Sequence, residues 1–142
     1  MQKPLFLKIL APIDGSEHSN KALLHACELA KNFKAQLITL YVIDKSLTIN
    51  FLDRKEYLTL LRKYGKKVLQ KGQKITTSNG MDSKQIIKEG NVVKEIINVA
   101  KNEKCNLIVV GSKGLGAALR FLLGSVSSKL ANNAPCSVLI IK

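Results

Sequence analysis

The stretch "CNLIVVGSKGLGAALRFLLGSVSSKLANNAPCSVLIIK", Cys105 to Lys142, decides the fold. It opens on an almost wholly apolar run and passes through four glycines, three of them within six residues. A helical segment follows over about Ser125 to Asn133, and "CSVLIIK" is a second apolar run. Runs of continuous rather than alternating hydrophobicity suit strands covered on both faces, and two strands joined through a helix pair in parallel. The stretch is therefore the closing strand–helix–strand unit of an α/β sheet.

The same alternation extends back to the N-terminus. "FLKILAPID", Phe6 to Asp14, is a short apolar strand that stops at a turn, Asp14-Gly15-Ser16. Ser16 is a candidate N-cap with Glu17 in the first turn, and Ala22, Leu23, Ala26, Leu29, Ala30 and Phe33 recur at helical spacing. "AQLITLYVID", Ala35 to Asp44, reads as the second strand. From about Asp53 to Lys74, Tyr57, Leu60, Leu61, Tyr64 and Val68 form the apolar stripe of a second helix, stopped by Asn79-Gly80. "KQIIKEG", Lys84 to Gly90, makes the third strand, and Val92, Val93, Ile96, Ile97 and Ala100 mark the third helix. Nothing repeats and no linker interrupts the pattern, so residues 1–142 form a single domain.

Composition narrows the function classes. The formal charge is +13, but the lysines are scattered and aromatics reach only 5%, too few for a base-stacking platform, so nucleic acid is not the expected partner. Cys27, Cys105 and Cys136 lie far apart, without a C-x-x-C pair or zinc-spaced histidines, and read as reduced core thiols. No signal-peptide pattern and no apolar run of membrane-spanning length is found, so the expected location is the cytoplasm.

In a parallel sheet the ligand crevice lies beyond the carboxyl ends of the strands, where strand order reverses. That directs attention to Asp14 to Ser16, Val42 to Asp44, and Gly111 onward. The glycine spacing fits neither the Walker loop nor the dinucleotide fingerprint. Its chemistry still suits phosphate. Glycines after a strand let backbone N–H groups approach an anion, and Ser125 opens a helix whose N-terminus carries free donors and a positive dipole end. Lys113 and Arg120 add charge nearby. Gly111 and Gly114 would equally serve to turn the chain, and Gly124-Ser125 to cap a helix.

Written out, the spacing is Gly111-x2-Gly114-x9-Gly124-Ser125, and it resembles the G-x2-G-x9-G-[ST] motif of ATP-binding members of the universal stress protein family. "KILAPIDGSEHS", "LITLYVID", "NLIVVGSKG" and "APCSVLIIK" are similar to further parts of that family, so the resemblance spans nearly the whole chain. Asn91 departs from it, standing where many members have proline. The resemblance implies a three-layer, open, parallel five-stranded sheet of strand order 3-2-1-4-5 with helices on both faces, Rossmann-like and of the adenine nucleotide alpha-hydrolase type. It implies a homodimer through the last strand. It also implies an ATP site formed by Pro12, Ile13 and Asp14 after the first strand, Val42 at the adenine, and Gly111, Gly114, Gly124, Ser125 and Val126 at the ribose and phosphates.

Catalysis has less support. Asp14 is a candidate to hold Mg²⁺ through water, but its carboxylate is equally suited to cap the turn that follows it. His18 and His25 stand seven residues apart on one helix and read as surface or packing residues, leaving no catalytic base. The expected function is an ATP-binding stress or regulatory protein with slow or absent hydrolysis. The alternative is a nucleotide-independent, dimeric interaction protein whose basic surface takes acidic partners or RNA. An adenylating enzyme is disfavoured because its SGGxDS loop is missing.

Overall fold

A computed structural model of the chain describes residues 3–45, 54–113 and 124–142. Its elements alternate as β1 (Lys8–Pro12), α1 (Glu17–Phe33), β2 (Gln36–Asp44), α2 (Arg54–Ser78), β3 (Ser83–Gly90), α3 (Val92–Asn102), β4 (Leu107–Gly111), α4 (Ser125–Asn133) and β5 (Ser137–Ile141). The five strands form one parallel sheet of order β3-β2-β1-β4-β5, as the family resemblance implies. Strand β1 is central. Its Ile9 pairs with Leu37 of β2 on one side and with Leu107 of β4 on the other.

Two cores sandwich the sheet. One packs Ile9, Ala11, Leu37, Tyr41 and Val109 against Ala22, Leu23, Ala26 and Ala30 of α1 and Val68 and Leu69 of α2. The other packs Leu10, Ile38, Leu40, Ile108 and Val110 against Ile96, Val99 and Ala100 of α3 and Leu130 of α4. Successive residues of β1 thus enter opposite cores, which is why its sequence is apolar without alternation. Each fully buried aliphatic side chain here contributes roughly 1.5–3 kcal/mol.

The helix ends follow their local chemistry. Ser16 Oγ accepts from Ser19 N–H at 3.2 Å as the N-cap of α1. Asn91 Oδ1 accepts from Lys94 N–H at 3.0 Å as the N-cap of α3, so the residue that departs from the family's proline does the work of starting the helix. Gly80, with φ +72°, ends the turn after α2.

Four expectations need correcting. The first strand is shorter than Phe6 to Asp14, because Ile13 and Asp14 already belong to the turn and Ile13 N–H reaches across to the Leu40 carbonyl at 2.8 Å. Helix α2 runs on to Ser78, four residues past Lys74, while Asp53 lies outside the described residues. Its buried face is Gly65, Val68, Leu69, Gly72 and Thr76, whereas Leu60 and Tyr64 of the expected stripe are 64% and 41% exposed. The small residues Gly65 and Gly72 carry no hydrophobic signal, so a stripe read from large apolar residues is displaced around the helix. Strand β5 is also less buried than its apolar sequence suggests, because it and β3 form the two edges of the sheet.

The cysteines are free thiols, with Cys27 and Cys105 buried and Cys136 half-buried. Burial pushes the Cys105 thiol up to about 11, which keeps it protonated and unreactive at neutral pH. No helix among the described residues is long and apolar enough to cross a membrane.

Two positions test this packing. Thr39 is fully buried in β2, and its hydroxyl has no hydrogen-bond partner among the described residues. Thr39→Val should raise the denaturation midpoint, by about 1 kcal/mol in stability, and a lowered midpoint would show that the hydroxyl is satisfied. At the end of β4, a Cβ on Gly111 would stand 2.8 Å from the backbone carbonyl carbon and oxygen of His18 on α1. Backbone cannot rotate away, so Gly111→Ala should cost roughly 1–3 kcal/mol in urea denaturation, and an unchanged midpoint would disprove the close approach.

Candidate functional site

The carboxyl ends of β1, β2 and β4 open onto a cavity of about 630 Å³, within the range of small-molecule sites. It lies beside the point where strand order reverses, because β1 is followed in sequence by β2 on one side and is flanked by β4 on the other. Pro12, Ile13, Asp14, Val42, Gly111, Gly124, Ser125 and Val126 all line it. Gly114 and Arg120 lie outside the described residues. Lys113 also lines the cavity, adding a cation near the glycines.

The cavity floor is built around Asp14. Its backbone N–H donates to Ser19 Oγ at 3.0 Å, and its Oδ1 accepts from Ser16 N–H at 2.9 Å. The carboxylate therefore closes the turn into α1, as the sequence allowed, and it does so while lining the cavity. Gly15 completes that turn with φ +86°, a conformation that favours glycine.

The two glycine segments are joined directly. Gly124 N–H donates to the Ser112 carbonyl at 2.6 Å, and the buried Ser127 hydroxyl lies 3.0 Å from the carbonyls of both Ser112 and Gly124. Ser112 N–H in turn donates to the Ile141 carbonyl of β5 at 2.8 Å. The exit of β4 and the start of α4 are thus held as one unit. Gly124 is the N-cap of α4 and gives it no side-chain cap, and no acidic residue stands in the first turn. Both features suit an anion at this helix end, where backbone donors and the dipole are directed. Ser125 is the first helical residue and not the cap, so its exposed hydroxyl is not spent on closing the helix.

The rest of the cavity lining is largely apolar and aromatic: Leu40, Tyr41, Val42, Leu61, Tyr64, Val92, Ile96 and Val110, with Asp44 at the end of β2. Burial, followed by the proximity of Tyr64 and Asp14, pushes the Tyr41 phenol up to about 12, so it stays neutral. Sequence reasoning missed most of these residues. Tyr64 and Leu61 read as ordinary core stripe on α2, and Ser127 carried no signal beyond its place in a small-residue run. Asp44 fell within a strand end already marked for attention.

The arrangement offers binding groups more readily than catalytic ones. His18 is half-buried with its backbone against Gly111, and the exposed His25 has Nδ1 2.9 Å from the Lys21 carbonyl of its own helix. Neither lines the cavity. Among the described residues no three His, Cys, Asp or Glu side chains gather into a metal-holding cluster. A carboxylate beside an anion site nevertheless suits Mg²⁺, which binds through one or two carboxylates together with water and ligand phosphates. Asp14 is the carboxylate nearest to that description, and its Oδ1 also accepts from the Ser16 N–H.

Known proteins bear on this geometry. The model of the universal stress protein family matches residues 6–142. The universal stress protein YxiE of Bacillus subtilis is 36% identical, covering 97% of this chain and 100% of its own length. The structure of universal stress protein UspA from Lactobacillus plantarum superposes with a TM-score of 0.85 at 28% identity, covering 96% of this chain and 97% of its own. The universal stress protein from Archaeoglobus fulgidus in complex with dAMP shares the fold, with a TM-score of 0.73 at 18% identity, covering 97% and 99% of the two chains. Fold and sequence likeness along almost the whole length agree: the chain belongs to the universal stress protein family.

Proposed function

We propose that the cavity binds an adenine nucleotide, ATP with Mg²⁺, and that the protein is an ATP-binding stress or regulatory protein with slow or absent hydrolysis. The observation that carries this reading is that one cavity joins two kinds of lining, glycines and a helix start beside β4 and apolar side chains beside β2. Gly111, Lys113, Gly124 and Ser125 make an end that suits phosphates, and Val42 with its apolar neighbours makes an end that suits a base. Pro12 at the end of β1 and Ile13 and Asp14 in the turn after it lie between them, and Val126 continues the wall along α4. Gly114 would complete the phosphate segment. The Archaeoglobus protein of this fold holds an adenine nucleotide, dAMP. Asp14 would hold Mg²⁺ through water, with the metal neutralising phosphate charge when bound. Among the described residues the lining holds no histidine, and its Asp14 carboxylate is engaged in closing the α1 turn, which supports binding over turnover.

The homodimer belongs to the same proposal. Among the described residues β5 pairs only with β4, which would leave its outer edge to another chain, and Leu139 on it is 37% exposed. Site of action in the cytoplasm completes the reading. A nucleotide-independent role for the basic surface draws on α2, which carries eight lysines and arginines against one glutamate. A steep salt dependence of RNA binding, with no response to ATP, would favour it.

Isothermal titration with ATP and Mg²⁺ should show saturable binding. Gly124→Val, which sets a branched side chain at the helix start, should weaken it at least about tenfold, equivalent to roughly 1.4 kcal/mol. Absent binding by the wild type, or unchanged binding by the variant, would sink this assignment. Asp14→Asn keeps an oxygen to close the turn but removes the charge. It should retain the wild-type melting temperature and ATP affinity without metal, while losing the gain in affinity that Mg²⁺ confers; an undiminished Mg²⁺ effect would exclude Asp14 from the metal site.

A further inference from the structure

Tyr64 is the cavity residue that the family motif and the strand ends leave unexplained. It projects from α2, is 41% exposed, and lines the cavity together with Leu61. Its hydroxyl donates to the Asp14 backbone carbonyl at 3.2 Å across 50 residues of sequence. Its ring meets that of Tyr41 edge to face, with centroids 6.0 Å apart and planes at 67°. The fit against the turn is close: a Cβ on Gly15 would stand 2.9 Å from the Tyr64 hydroxyl oxygen. Two residues earlier, Arg62 bonds both oxygens of Glu89 near the end of β3, through Nη2 at 2.9 Å and Nε at 3.1 Å, which anchors this part of α2 beside the sheet.

Position within the cavity assigns a role. Along the sheet order the glycine segments lie beyond β4, Asp14 lies beyond β1, and α2 packs beside β2. Tyr64 is therefore on the side of Asp14 away from the phosphate-suited end. An aromatic side chain with an exposed part there offers a face or edge to a planar base, whereas it offers little to phosphate. Its hydroxyl is already directed to the protein, and the same bond fixes the peptide of Asp14.

We propose that Tyr64 determines specificity at this site, forming the side wall against the nucleobase and positioning the Asp14 turn through its hydroxyl. The inference rests on the nucleotide reading above and deepens it.

The test compares two ligands, ATP and inorganic tripolyphosphate, on the full chain. Tyr64→Ala should weaken ATP about tenfold or more and leave tripolyphosphate affinity within about twofold, since a stacking contact is lost and the phosphate end is untouched. Tyr64→Phe keeps the ring and loses one hydrogen bond, so its ATP affinity should fall by only about three- to tenfold. The chain has no tryptophan and three tyrosines, so a Tyr41→Phe, Tyr57→Phe variant emits from Tyr64 alone, and ATP should change that emission where tripolyphosphate does not. Equal losses for both ligands in Tyr64→Ala would reduce Tyr64 to a general support of the fold and overturn the proposal. Unchanged ATP affinity in both variants, with unchanged emission, would overturn it while leaving nucleotide binding intact. Failure of the wild type to bind ATP would remove the underlying reading and this inference together.

Discussion

Everything at the candidate site depends on the pairing of β1 with a strand on each side. Because β1 hydrogen-bonds to β2 and to β4, the chain must leave it and return to it from opposite directions. Helix α1 packs over one face of the sheet and α4 over the other, and the space between their starts remains open beyond the strand ends. A parallel sheet with both faces covered places its unpaired backbone groups at those ends, which is where a polar ligand finds donors. The apolar sequences of β1, β2 and β4 are the source of that stability, and the cavity is a consequence of their order.

Small residues convert the open space into an organised one. Gly111 lets α1 approach the end of β4 so closely that a side chain would strike the His18 backbone. The glycine thus has a packing duty as well as whatever it does for a ligand. Ser127 bonds to two carbonyls from the two glycine segments, so the start of α4 is tied to the exit of β4 and not left to a loop. At the floor, Asp14 and Ser16 close the α1 turn. Preorganisation of this kind lowers the cost of ordering the site when a ligand arrives.

The charge distribution has a narrower meaning than the total of +13 suggests. Exposed lysines and arginines contribute little to stability, and the pairs that do form, such as Lys84 with Glu103, stand at the surface. Their collective effect is to attract anions, which is useful to a protein that binds nucleotide and equally to one that binds a larger polyanion. The local feature that distinguishes the cavity is the uncapped, acid-free start of α4, beside Lys113.

Much of this was legible in the sequence. Apolar runs and helical periodicity depend on residues a few positions apart, so they identified all nine elements within a few residues, and the glycine spacing marked β4 and α4. Turn chemistry did the same for Asp14 and Ser16. Other features rest on contacts between distant segments, and local pattern has no access to them. Edge or centre of the sheet decides how far β5 is buried, although its apolar run reads like that of an inner strand. The buried face of α2 contains glycines, which pack closely without a hydrophobic signature, and this rotates Tyr64 from the expected core to the cavity wall. The sequence by itself determined the alternation of elements and the residues that end each strand. Only the tertiary structure decided which helix closes the pocket, because that depends on how α2 lies against β2 and on a hydrogen bond between residues 50 positions apart.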